Sequence, residues 1–187
     1  MLRNIRNDFE TYGRTFRSAG FWAMFVYRFG VWSMNRRFRP WRSITSAVYL
    51  FLKALIQVTT GIMLERETRV GEGFHIIHPG LLNIHPDTVI GARCGVMHNV
   101  TIGSNMSQGA PTIGDDVFIG CGASILGEIK VGNGARVSAN TLVIADVPDG
   151  AVAMGVPAQI YPNMDRLRTR KKKPKGSATA DAKSEKA

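Results

Sequence analysis

The residues best suited to chemistry near neutral pH are the four histidines His75, His78, His85 and His98, and no histidine lies elsewhere in the chain. An imidazole titrates near pH ~6.5, which fits it to take a proton from a weak nucleophile as that nucleophile attacks. Cys94 and Cys121 form no CxxC pair and point neither to a disulfide framework nor to a zinc knuckle. The histidines must therefore be read against the elements that hold them.

Those elements show a period of six. Ile113, Ile119, Ile125, Val131, Val137 and Val143 are aliphatic residues six apart, and glycine follows at Gly114, Gly120 and Gly132. Six matches neither the 3.6 of an α-helix nor the 2.0 of a flat strand. It matches a triangular coil of three short strands, eighteen residues per turn, with aliphatic side chains stacked inside and small residues at the corners. Upstream, Leu64, Val70, Ile76 and Leu82 keep the period. After a shift of two, so do Ile84, Ile90, Val96 and Ile102. The longer step from Ile102 to Ile113 reads as a loop, 104–111, pushed out of a corner. The spacing predicts a mainly β, parallel β-helix of about five coils. His78 and His98 each fall two residues after an inward aliphatic residue, at corners and not in the core.

The chain divides into an N-terminal helical segment (1–63), the repeat domain (64–160) and a basic tail (161–187). Charge follows the same division: net +8 over 1–64, −5 over 65–165 and +7 over 166–187. Residues 43–64 are a 22-residue apolar stretch whose only charge is Lys53, set amid an aromatic and arginine-rich segment. Two readings stand for residues 1–63: helices that cap the open end of the prism, or a surface in peripheral contact with an anionic membrane face. The tail has no aromatic interleaving and reads as a solvated run without a nucleic-acid partner. The charged N-terminus lacks a signal peptide's early apolar stretch, so the expected location is cytoplasmic, and on the second of these readings peripheral at the inner face of the membrane.

The runs VGEGFHIIHPG, HNVTIG, PTIGDDVFIGCGASILGEIKVGNGARV and DVPDGAVAMGVPAQI resemble the hexapeptide-repeat acyltransferases. They are most similar to the serine O-acetyltransferase group and its colanic acid-type polysaccharide O-acetyltransferase relatives. The resemblance implies a left-handed prism, although crossovers between parallel strands are normally right-handed. It also implies a homotrimer or a pair of trimers, and acetyl-CoA as co-substrate in the groove between prisms, with no metal. By position it makes His78 the general base and places His98 in the acceptor pocket. CoA contacts fall on Gly103, Ser104, Gly122, Ala123, Ala139, Gly155, Pro157 and Arg166. Two departures bear on the acceptor. Where serine acetyltransferases have an aspartate and an Arg-His pair to grip an amino acid, this chain has Ile77 and Gly109-Ala110. The expectation is therefore a saccharide acceptor in polysaccharide biosynthesis, with serine O-acetylation as the alternative. Glu65 or Glu67 could orient a histidine, but neither falls on the family's aspartate, whose position here is Met63.

Overall fold

The structure, a computed structural model, describes residues 2–105 and 109–162. Arg166 and nearly all of the basic tail lie outside the described residues, as do residues 106–108 of the loop. Three helices come first: α1 (Leu2–Thr11), α2 (Ala19–Met34) and α3 (Arg39–Thr60). A parallel solenoid follows.

The first coil is β1 (Ile62–Leu64), β2 (Arg69–Val70) and β3 (His75–Ile76). The second is β4 (Leu82–Ile84), β5 (Val89–Ile90) and β6 (Gly95–Val96). The third is β7 (Thr101–Gly103), β8 (Thr112–Ile113) and β9 (Phe118–Ile119), and the fourth is β10 (Ser124–Leu126), β11 (Lys130–Val131) and β12 (Arg136–Val137). A fifth turn has β13 (Leu142–Val143), an isolated bridge at Val147 and β14 (Val152–Met154), onto which β15 (Gln159–Tyr161) folds back antiparallel. Equivalent strands stack into three parallel faces: β1-β4-β7-β10-β13, β2-β5-β8-β11 and β3-β6-β9-β12-β14.

The six-residue period is the inward column of each face. Ile84, Ile102, Ile125 and Val143 stack on one face and Ile76, Val96, Ile119 and Val137 on another, all at 2% exposure or less. Each such side chain contributes roughly 1.5–3 kcal/mol by leaving water. One corner is locked by an Asx ladder: the backbone N–H groups of Ala92, Asp115 and Asn133 donate to the side-chain oxygens of Asp115, Asn133 and Asp149 at 2.7–2.8 Å. The shift of two in the repeat is a widened corner. Eight residues separate Ile76 from Ile84, where six separate Val96 from Ile102. The two additional residues fall in Ile77–Leu81, the turn that carries His78.

α1 and α2 cover the open edge of the first coil. The Tyr12 hydroxyl accepts from Ile76 N–H at 2.8 Å and donates to the Phe74 carbonyl. Tyr27 donates to the Thr68 carbonyl at 2.6 Å and accepts from Val70 N–H. Arg28 is buried against Asp8 (3.0 Å) and donates to the carbonyls of Val70 (2.9 Å) and Gly71 (2.6 Å). Without neighbours these backbone groups would be an unpaired solenoid edge, which is costly to bury and adhesive if exposed. α3 packs on α2 where Gly30 admits Tyr49: a β-carbon there would sit 2.4 Å from the tyrosine ring.

Candidate active site

His78 and His98 occupy corresponding corners of successive coils, two residues beyond the paired Ile76 and Val96. Both are exposed, with ring centroids 6.1 Å apart and planes tilted by 58°. The same strand register continues upward through Ile119, Val137 and Ala153, so Cys121, Ala139 and Gly155 stand at the equivalent corner of the next three coils. One edge of the prism therefore reads His78, His98, Cys121, Ala139, Gly155: two imidazoles at one end and small residues toward the other. Backbone hydrogen bonds tie the rungs together, from Asn99 N–H to Gly80 O (3.1 Å), Gly122 N–H to His98 O (3.1 Å) and Asn140 N–H to Cys121 O (2.8 Å).

Gly155 opens the turn between β14 and β15, with φ +99°, a conformation open to glycine and strained for other residues. Val156 and Pro157 stand exposed at its tip. Gly122 lies on the histidine edge. Gly103 ends β7 and Ser104 follows it at the next corner, where the loop leaves the prism. Ala123 is fully buried, so its side chain belongs to the core and offers no surface.

His75 behaves differently from its neighbours. Its ring meets Tyr12 edge to face at 4.9 Å, and burial, then the charge of nearby His78, hold its imidazole below the usual histidine range. His85 turns its Nδ1 to accept from Asp87 N–H in a local turn. Burial pushes the Cys94 thiol up to about 11, which keeps it protonated, and it donates to Gly114 O. Glu65 is held by Lys53 and Glu67 by Arg66, so both carboxylates are committed to basic partners.

Ile77 follows inward Ile76 and is half-buried near Gly95. Ala110 sits at the loop's return, where Gly109 (φ +120°) brings the backbone against exposed Glu128. Strand alternation also reveals polar groups absent from the motif reading. Asn83 pairs in register with Thr101, and Thr101 with Ser124, on the outward side of the face that begins just after the histidine corners. The signal was available: in a strand with inward residues at 82 and 84, residue 83 must face out.

Residues 110–145 match the family described as Bacterial transferase hexapeptide (six repeats). The serine acetyltransferase of Escherichia coli K12 is 33% identical over 149 residues, 78% of this chain and 52% of the relative. A solved serine acetyltransferase in complex with CoA superposes with TM-score 0.67 at 30% identity, covering 78% of this chain and 58% of that one. The serine acetyltransferase of Brucella abortus S19 gives TM-score 0.72 at 25% identity, covering 86% and 68%. The solenoid thus carries the repeat of that family over residues 110–145. The chain is a homologue of the serine acetyltransferases, and it spans about half the length of the relatives it matches.

These relationships correct one expectation. The departures at Ile77 and Ala110 point to a saccharide acceptor, but serine acetyltransferases match this chain over three quarters of its length, which supports serine instead. Two substituted positions are too narrow a base for assigning an acceptor. A pocket wall is assembled from several strands and loops, and polar groups such as Asn83 and Thr101 stand beside the same corners.

Proposed function

We propose that the protein is an acetyl-CoA-dependent O-acetyltransferase acting on L-serine, working in the cytoplasm as a homotrimer. The observation that carries this reading is the single prism edge on which His78 and His98 lead into the small-residue positions Ala139 and Gly155, in a chain homologous to serine acetyltransferases. His78 accepts the serine hydroxyl proton as that oxygen attacks the thioester carbonyl. Backbone N–H groups meet the oxyanion that forms, and its collapse expels the CoA sulfur, to which the histidine returns the proton. The small residues let the pantetheine arm lie against the backbone. His98 lines the acceptor side, and Asn83 and Thr101 are placed to meet the amino acid's polar ends. In one protomer the histidine edge is open to solvent, and a neighbouring prism supplies the missing wall of a groove.

The test is release of CoA thiol from acetyl-CoA with L-serine as acceptor. Turnover that falls roughly 10²–10⁴-fold in His78→Ala supports the assignment. Absence of serine-dependent release, or full activity in that variant, overturns it.

A further inference from the structure

α3 carries its apolar side outward. Trp41, Ile44, Val48, Phe51, Leu55 and Val58 are spaced alternately by three and four residues, which aligns them along one side of the helix. Their exposure runs from 45% to 85%, and exposed Ala47 and Ala54 widen the stripe. The opposite side holds the polar contacts. Tyr49 and Thr45 are buried, Lys53 reaches Glu65, and Ser46 accepts from Arg66. A helix on a soluble body normally presents the reverse arrangement, and a contiguous apolar stripe of this length marks an interaction surface.

Charge identifies what covers it. The helix begins at an arginine cluster: Arg37, Arg39 and Arg42 are exposed beside exposed Phe38 and Trp41. Arg39 and Arg42 lie in the first turn, the end at which the helix dipole favours anions and disfavours cations. The turn contains no acidic residue, and Phe38 at the N-cap supplies no side-chain acceptor. Residues 1–64 hold only two carboxylates, Asp8 and Glu10. Asp8 is buried against Arg28, and Glu10 lies beside Arg6 and Arg14. A second copy laid on this face would bring more arginine and no carboxylate to meet it. A bilayer with anionic headgroups supplies an apolar interior and a plane of negative charge together.

We propose that α3 lies in the plane of an anionic phospholipid surface, its Trp41–Val58 stripe sunk into the acyl boundary and Arg37, Arg39 and Arg42 at the lipid phosphates. The helix lies on the membrane and does not cross it. At 22 residues it is long enough to span. Its inner side, however, is bonded to Glu65 and Arg66 of the first coil, and Gly61 (φ +71°) turns the chain directly into β1. Crossing would carry those charges into hydrocarbon. This contact is independent of the acetyl-transfer reading.

The full-length chain is mixed with phosphatidylcholine vesicles, with and without phosphatidylglycerol, and tryptophan quenching is read from lipids brominated in their acyl chains. The expected result is flotation and quenching with the anionic vesicles only. Both should be lost in Phe51→Glu/Val58→Glu; the two positions are 71% and 85% exposed, so the variant should keep its fold, which circular dichroism checks. Affinity should fall roughly fivefold for each of Arg37, Arg39 and Arg42 changed to Gln. The basic run 166–175 can attract the same vesicles but cannot produce acyl-chain quenching, so quenching decides. Equal binding to neutral vesicles, or quenching that survives the double substitution, overturns the proposal. So does a double substitution that lowers the oligomer mass by light scattering while the wild type shows no quenching, because α3 is then a subunit interface.

Discussion

His78 and His98 stack on one edge of the prism, one coil apart, with ring centroids 6.1 Å from each other. A hydroxyl presented to one imidazole is therefore within reach of the other, and the roles proposed for the two rings can be separated by kinetics. We expect His78→Ala to lose roughly 10²–10⁴-fold in kcat with little change in the KM for acetyl-CoA. His98→Ala should mainly raise the KM of the acceptor. Steady-state kinetics on both variants checks this. Equal losses of kcat would mean that the two rings share the proton transfer.

The repeat columns were legible because period six has no other common source among regular elements, and every aliphatic residue of the series Ile113 to Val143 is buried as that pattern requires. The shift of two near Leu82 was legible too, and it marks the widened corner that carries His78. The bolts from the helices were not. Asp8 and Arg28 are twenty residues apart and meet only because α1 and α2 fold onto the same coil edge, a tertiary relation that no local period encodes. The outward orientation of α3 was equally hidden, since an apolar run reads the same whether the fold buries it or leaves it exposed. The acceptor was not legible from Ile77 and Ala110, because two positions are only part of a pocket wall that several strands and loops build together.

Tyr12 secures α1 to the strand that precedes the histidine corner. Its hydroxyl serves Ile76 N–H and the Phe74 carbonyl, and burial holds its phenol well above the usual tyrosine range, so it remains a neutral donor and acceptor. Tyr12→Phe leaves buried backbone groups unpaired and should cost roughly 1–3 kcal/mol by denaturant unfolding. Activity at a temperature where the variant is fully folded should fall only modestly, because the His78 side chain is untouched.

Arg28 and Asp8 form a pair with both side chains nearly inaccessible, and Arg28 also donates to the Val70 and Gly71 carbonyls. Removing either partner strands the other charge in the interior. Asp8→Asn and Arg28→Met should each destabilise by roughly 3–5 kcal/mol, and the double variant by clearly less than the sum. Additive losses in a double-mutant cycle would show that the pair contributes little as a pair.

His75 should contribute to the pH dependence of stability. Burial against Tyr12, then the charge of His78, lower its folded-state pKa below the unfolded value. At a pH between the two values the unfolded chain binds more protons, so stability increases with pH. This contribution is complete above the unfolded pKa near ~6.5 and is lost as pH falls through the folded value. The thermal midpoint should drop on going from neutral to mildly acidic buffer, and His75→Gln should flatten that part of the profile. Since the ring is only half-buried, the shift should be small, on the order of 1–2 °C. An unchanged slope in the variant would assign the pH dependence to other groups.

Gly155 tests the far end of the histidine edge. Its φ of +99° starts the turn that carries Val156 and Pro157, and its carbonyl accepts from Leu142 N–H at 3.0 Å, which fixes the turn on the last coil. Alanine has room there, since the closest atom to an added β-carbon is the Pro157 carbonyl oxygen at 3.4 Å. The penalty is therefore backbone strain, roughly 1–3 kcal/mol, and not a clash. A turn that relaxes to relieve this strain moves off the edge shared with Ala139. Gly155→Ala should thus raise the KM for acetyl-CoA while leaving the acceptor KM and the pH profile near wild type. A change confined to the acceptor would place this turn outside the CoA groove.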